Sequence, residues 1–350
     1  MQASGSFLQR VRRLALAAAV LFLAGCAALE PLVPQTVQLR TQWPAGVARQ
    51  VELAQVPFYP QDAYQCGPAA LAMAMTHSGR ATQPAALVDE VWLPSRHGSL
   101  QVEMLATPRR HGLVSYRLEP RYADLLREVA AGNPVVVLQD VGPLFTQWHY
   151  AVVNGYDYET GTILLRSGLQ KRQETSFTAF ERTWKAGDYW AMTVTPPDRI
   201  PATATEKRWL DALLGLARGG NVDATVRGYR AALERWPESL PAAVGLANHL
   251  HAQGSLREAA EVLRTALQKS PRSMILLNNL AQTLSDQGRH DEALAVIRQA
   301  DDAHSPFAGE VRATRELIEE RLRGAPTSLQ GSETGLRMAW PGHALPDADS

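Results

Sequence analysis

The chain has 350 residues, with 35 Lys and Arg against 35 Asp and Glu, 45% hydrophobic residues and 20% charged ones. Balanced charge gives no basic footprint for nucleic acid, and this composition belongs to globular domains rather than to a disordered chain. The length suits two domains.

Only two cysteines occur, each in its own motif. Arg10, Arg12 and Arg13 precede an apolar run from Leu14 to Leu23, which then meets small residues. That succession predicts a secretory signal, too short to span a bilayer. Its ending, Leu23-Ala24-Gly25-Cys26, resembles the bacterial lipoprotein signal. The resemblance implies acylation of Cys26 after cleavage and, with Ala27 following, sorting to the outer membrane with the chain facing the periplasm. An ordinary signal peptide is the alternative. Stable anchoring would rest on several acyl chains, since a single chain holds only marginally. With Cys26 consumed, Cys66 is an unpaired thiol outside the cytoplasm, and such a thiol is either buried and inert or a nucleophile.

Residues 27–51 carry prolines without periodicity and are expected to be a tether. Residues 52–197 read as a mixed domain. Helical patterns cover 69–76 and 122–131. Strands are expected at 134–138, 149–156 and 162–166, with Glu159-Thr160-Gly161 as the hairpin turn between the last two. Helices first and an antiparallel sheet afterwards predict an α+β fold. The proline-rich stretch from Pro196 to Pro201 suits neither helix nor central strand, so 198–205 is expected to be a linker.

From 206 to 323 the chain is rich in Ala and Leu and repeats itself. Pro237 and Pro271 lie 34 residues apart, and Leu246, Ala247, Leu250, Gly254, Ala259, Leu263 and Ala266 recur one period later. Small residues let paired helices approach, glycine permits the turn and proline ends the second helix. The pattern resembles the tetratricopeptide repeat, which implies an all-α stack that binds a protein partner. Trp209, Gly220, Tyr229 and Ala232 fit a degenerate first repeat, and residues 310–322 a polar capping helix. The Gly-, Pro- and Ser-containing tail, 324–350, has little to bury and is expected to be disordered.

The chemistry centres on Gln61-Asp-Ala-Tyr-Gln-Cys66-Gly67-Pro68, which places a thiol where a loop becomes a helix. Pro68 is tolerated in a first turn, whose N–H groups lack intrahelical acceptors. A helix N-terminus stabilises a thiolate, the form that attacks carbonyls. Gly67 leaves room for a substrate backbone, and the Gln61 amide with the Cys66 N–H suits an oxyanion hole. The base expected for such a thiol is His149, at the entrance of an apolar strand. His249 and His251, two apart on a helix, point to different faces and do not suggest a metal site. Arg109-Arg110-His111 reads as a solvated basic cluster.

Gln61, Cys66-Gly-Pro-Ala, Pro134-Val-Val-Val and His149-Tyr-Ala-Val-Val with Gly155-Tyr156-Asp157 together resemble the papain-like peptidases that remove double-glycine leaders from bacteriocins, in particular their stand-alone branch. The resemblance spans about residues 52–195. It implies a papain-like α+β domain acting on a peptide or protein without a cofactor, with Cys66 as nucleophile, His149 as general base and Gln61 as oxyanion donor. No G-x-x-x-x-G-K-[S/T] loop is found, so ATP-driven export is not implied. The sequence departs from the family in one place: where an Asp-Pro is expected after the histidine strand, it has Ser167-Gly168. Ser167 and Asp140 are therefore the two candidates to orient His149; Asp157, eight residues along the strand, would sit ~26 Å away. Two other functions remain open. One is a thiol acyltransferase or amidase using the same pair; the other is a non-catalytic envelope scaffold that binds peptides.

Overall fold

The computed structural model describes residues 33–61, 65–93, 98–300 and 304–324. Cys26 with its signal segment, residues 27–32 of the expected tether and the tail from 325 lie outside these residues.

The N-terminal domain comprises α1 (Pro34–Thr41), β1 (Gln50–Glu52), α2 (Cys66–His77), α3 (Pro84–Val91), β2 (Trp92–Leu93), β3 (Gly98–Ser99), α4 (Gln101–Arg110), β4 (Val114–Arg117), α5 (Tyr122–Ala130), β5 (Val135–Asp140), β6 (Trp148–Asp157), β7 (Thr162–Ser167), β8 (Gln170–Ser176), α6 (Phe177–Ala186) and β9 (Ala191–Thr195). Seven strands form one antiparallel sheet in the order β4-β9-β5-β6-β7-β8, with β1 paired to the far end of β6. Central strands are apolar on both faces: Val135 to Val137 and Tyr150 to Val153 are all buried. The edge strand β8, Gln-Lys-Arg-Gln-Glu-Thr-Ser, is largely exposed and carries the charge that discourages edge-to-edge pairing. The hairpin β6–β7 turns at Gly161, whose φ of +66° suits glycine. Helix α2 is buried from Gly67 to Met75, which explains why it is apolar all round.

The expected tether is in part structured. Residues 34–41 form α1, and its first turn is held by the buried Glu181 carboxylate, which accepts from the Gln35 N–H at 2.9 Å and the Thr36 N–H at 2.5 Å. A carboxylate at a helix N-terminus satisfies orphan donors and complements the helix dipole. The expected linker is likewise fixed. Glu128, fully buried, accepts from Thr203 N and Oγ1 at 2.6 Å each, from Ala202 N at 3.3 Å and from Asn133 Nδ2 at 2.8 Å.

The C-terminal region is a succession of three helix pairs and a last helix: α7 (Glu206–Arg218), α8 (Val222–Arg235), α9 (Leu240–Ala252), α10 (Leu256–Lys269), α11 (Met274–Asp286), α12 (His290–Ile297) and α13 (Ala308–Leu322). Gly220, Gly254 and Gly288 turn each pair with φ of +79°, +78° and +78°, one 34-residue period apart. The degenerate first repeat thus makes the same turn as the other two. These repeats are not held at arm's length. Helix α7 lies on β4 and α4, and one apolar core runs from Leu113, Val114 and Tyr116 into Trp209 and Leu213.

That seam corrects the solvated reading of Arg109-Arg110-His111. The Arg109 guanidinium fills the space beside Gly215, where a Cβ would meet its Cζ at 2.5 Å, and Asn221 Nδ2 donates to the Arg109 carbonyl at 2.5 Å. Burial there lowers the Arg109 pKa. Arg110 and His111 both bind Glu90, at 2.9 and 2.8 Å.

Candidate active site

Cys66 is the first residue of α2, and Pro68 lies within its first turn, where the missing N–H costs no helical bond. Gly67 is needed for a different reason from substrate approach. A Cβ on it would come within 2.2 Å of Ser99 Oγ, so the space beside the thiol is occupied by Ser99 of β3. The strand β6 delivers a backbone donor to the sulfur. Leu138, opposite Tyr150, sends its N–H to Trp190 O, so the Tyr150 N–H points to the other side of β6. On that side β7 first pairs at Val152, which leaves the Tyr150 N–H to the thiol. Burial nevertheless dominates and pushes the Cys66 thiol above its ordinary pKa, although the N–H groups of Tyr150, Gly67 and Cys66 itself pull the other way. Burial thus opposes the thiolate that the helix start was expected to favour.

His149 lies near the start of β6, and burial lowers its pKa. Its Nε2 is 2.9 Å from Ser167 Oγ, at the end of β7. Asp140 is not brought to the ring. It pairs with Trp148 across the β5–β6 ladder while Gln139 pairs with His149, so the two side chains point to opposite faces. Asp140 Oδ1 instead accepts from Gly142 N at 3.1 Å and Gln147 N at 2.8 Å, tying off the loop between the strands, and these bonds lower its pKa. Asp157 closes the other end of β6 and accepts from Gln50, Glu159 and Thr160.

Gln61 is anchored by its N–H to the Gly168 carbonyl at 3.2 Å, the residue after Ser167. Its Nε2 is buried and has no hydrogen-bond partner among the described residues, and Ser99 Oγ is in the same state. Unmet buried donors cost free energy, about 1–3 kcal/mol each, and these two face a cavity that a ligand could enter. Gln61, Cys66, Ser99, His149 and Tyr150 line one cavity of about 1170 Å³. Leu100, Val102, Leu138 and Trp148 supply apolar wall, and Asp188, after α6, is the one acidic residue among the described lining. Leu144, Phe145 and Leu169, on the segments bordering the mouth, are 87%, 85% and 78% exposed. This apolar rim was signalled in the sequence only by Leu144-Phe145 within a loop. Ser99 and Asp188 carried no local signal.

The two helical histidines are used structurally: His249 Nδ1 contacts Gly245 O at 2.8 Å, and His251 Nε2 contacts Asp286 at 2.8 Å. Among the described residues no group of three or more His, Cys, Asp or Glu is placed to hold a metal ion.

Comparison with known proteins agrees with this division of the chain. Residues 53–192 match the family model described as Peptidase_C39 like family, and residues 210–273 and 244–308 match the tetratricopeptide repeat. No curated protein matches. Among solved structures, a C39-like peptidase from Bacillus anthracis is 18% identical with a TM-score of 0.37, covering 42% of this chain and 98% of its own. The peptidase domain of Streptococcus ComA, a bifunctional ABC transporter involved in quorum sensing, is 21% identical with a TM-score of 0.33, covering 41% and 99%. The protein is a C39-like α+β peptidase domain followed by tetratricopeptide repeats.

Proposed function

We propose that the protein is a cysteine peptidase anchored through a lipidated Cys26 in the outer membrane, facing the periplasm, with its repeats recruiting a substrate or partner protein. The observation that carries the peptidase assignment is the convergence of Cys66, His149 and an unpartnered Gln61 amide on one cavity, with His149 Nε2 fixed by Ser167. In the resting site burial opposes both charges, so thiol and imidazole are neutral together. With Nε2–H donating to Ser167, Nδ1 is the basic nitrogen and takes the thiol proton as sulfur attacks the peptide carbonyl. Gln61 Nε2–H and the Cys66 N–H then meet the oxyanion. The protonated ring gives its proton to the leaving amine, and water hydrolyses the thioester.

The apolar rim and walls suit an extended peptide whose side chains cover Leu144, Phe145 and Trp148. An acyltransferase or amidase would share every step up to the thioester and differ in what attacks it. The raised thiol and the uncharged Ser167 favour a second reading, a scaffold that binds peptide without cleaving it. Digestion of a peptide mixture, with hydroxylamine trapping of acyl groups on Cys66, separates the three. Cleaved peptides absent from Cys66→Ala support the peptidase. Trapped acyl groups with amine transfer indicate the acyltransferase, and peptide retention with no trapped acyl group leaves the scaffold. Cys26→Ser should release the protein from membranes; retention in high salt overturns the anchor.

A further inference from the structure

We propose that Asp188 makes the cleft selective for peptides that place a lysine or arginine side chain in it. This deepens the peptidase assignment and rests on the same cavity. Among the described residues that line the cavity Asp188 is the one acidic group, and none is a lysine or arginine. The carboxylate forms no ion pair with any described residue, Lys185 three positions earlier included. Its surroundings suit a long cationic side chain. Leu100, Val102 and Leu138 line the same cavity and offer apolar surface for a methylene stem, and Trp148 is an aromatic residue of the same lining.

The backbone that presents Asp188 is unusual and firmly held. Asp188 and Tyr189 both have φ of 53°, a left-handed conformation in two successive non-glycine residues. Such residues cost on the order of 1 kcal/mol each and persist only where the surroundings over-determine them. Here the Tyr189 N–H donates to Trp184 O at 3.1 Å, the Asp188 N–H to Lys185 O at 3.0 Å, and the Tyr189 hydroxyl to Glu181 at 3.2 Å. The Trp184 indole donates to Trp190 O at 2.9 Å, whose residue continues into β9. A carboxylate on a rigid corner at the wall of a substrate cleft is a selecting group, held in place before the substrate arrives.

Asp188→Asn is the informative variant, because asparagine tolerates the left-handed conformation and keeps the shape while removing the charge. The readout is the rate at which Cys66 is modified, in the full chain carrying Cys26→Ser, by cationic 2-aminoethyl methanethiosulfonate relative to anionic 2-sulfonatoethyl methanethiosulfonate. Each rate is normalised to the same reagent's rate on free cysteine. The ratio should exceed one and fall roughly two- to fivefold in Asp188→Asn, the range of an exposed charge pair. Salt near 1 M, where the screening length is about 3 Å, should compress it similarly. Asp188→Lys should invert it. A ratio unchanged in Asp188→Asn and Asp188→Lys overturns the proposal. Peptide turnover gives the second arm: lysine-containing peptides should be used faster than norleucine analogues by the native protein and equally by Asp188→Asn. Equal use by the native protein overturns the selectivity while leaving the peptidase assignment intact. A charge-dependent thiol ratio without any turnover does the reverse.

Discussion

The two buried carboxylates that dock the linker and the N-terminal helix differ from the buried donors of the cleft in how they are met. At the seam Glu128 has four hydrogen bonds, and Glu181, which holds the N-terminal helix, has three. In the cleft Gln61 Nε2 and Ser99 Oγ have none among the described residues, and the Cys66 thiol and His149 imidazole are held neutral by burial. A carboxylate that must stay buried is saturated, because an uncompensated buried charge is strongly destabilising. A site that must receive charge during a reaction is left with donors unspent. Stability and chemistry are therefore separable by mutation.

The largest expected effects fall on chemistry alone. Cys66→Ala should abolish turnover without lowering thermal stability, measured by product formation and by a heat melt on the same preparation. Gln61→Ala should lower kcat by ~10²–10³, the typical loss for one oxyanion donor, while peptide binding to the variant changes little. A Gln61→Ala protein with unaltered kcat would place the oxyanion elsewhere.

Next comes the seam. Glu128→Ala removes the acceptor for Thr203, Ala202 and Asn133 together, and should cost about 2–3 kcal/mol, since buried donors are left unmet. Urea unfolding should show the midpoint fall, and the transition should broaden or split as repeats and peptidase domain uncouple. A single transition at the native midpoint would show that the shared apolar core holds the domains without this staple.

These two regions were unequally legible in the sequence. Cys66 and Gln61 could be placed because a loop-to-helix motif lies within one short stretch, and His149 because the apolar run after it has strand character. The repeat declared itself through its period. The docked tether was not legible, because α1 has little amphipathic character of its own; its first turn is stabilised by Glu181, 145 and 146 residues away. The docking of the linker was hidden for the same reason: the N–H groups of Ala202 and Thr203 are met by Glu128, about 75 residues earlier. Asp188 and Tyr189 adopt the left-handed conformation without a glycine to announce it. The expected low thiol pKa overlooked how deeply the first turn of α2 is buried; the helix terminus favours the thiolate, but desolvation outweighs it.

The smallest effect, and the most diagnostic, concerns Ser167. Its hydroxyl fixes the imidazole but supplies no charge to balance an imidazolium, so Ser167→Ala should slow turnover by only about five- to tenfold, near the worth of one ordinary hydrogen bond. His149 has a pKa below 6.5 in the folded protein because burial disfavours its charged form. It is therefore neutral and competent above pH 6.5, and the acid limb of kcat/KM should lie below that pH. The same shift stabilises the fold above pH 6.5 and is lost as pH falls through the lowered pKa, because the unfolded chain then binds the proton that the folded site resists. Ser167→Asp would put a carboxylate against Nε2, raise the imidazole pKa and move the acid limb upward. A pH–rate profile of the three proteins reads this directly. If Ser167→Asp leaves the limb in place, the limb reports a group other than His149, and the contact with residue 167 does not set the basicity used in catalysis.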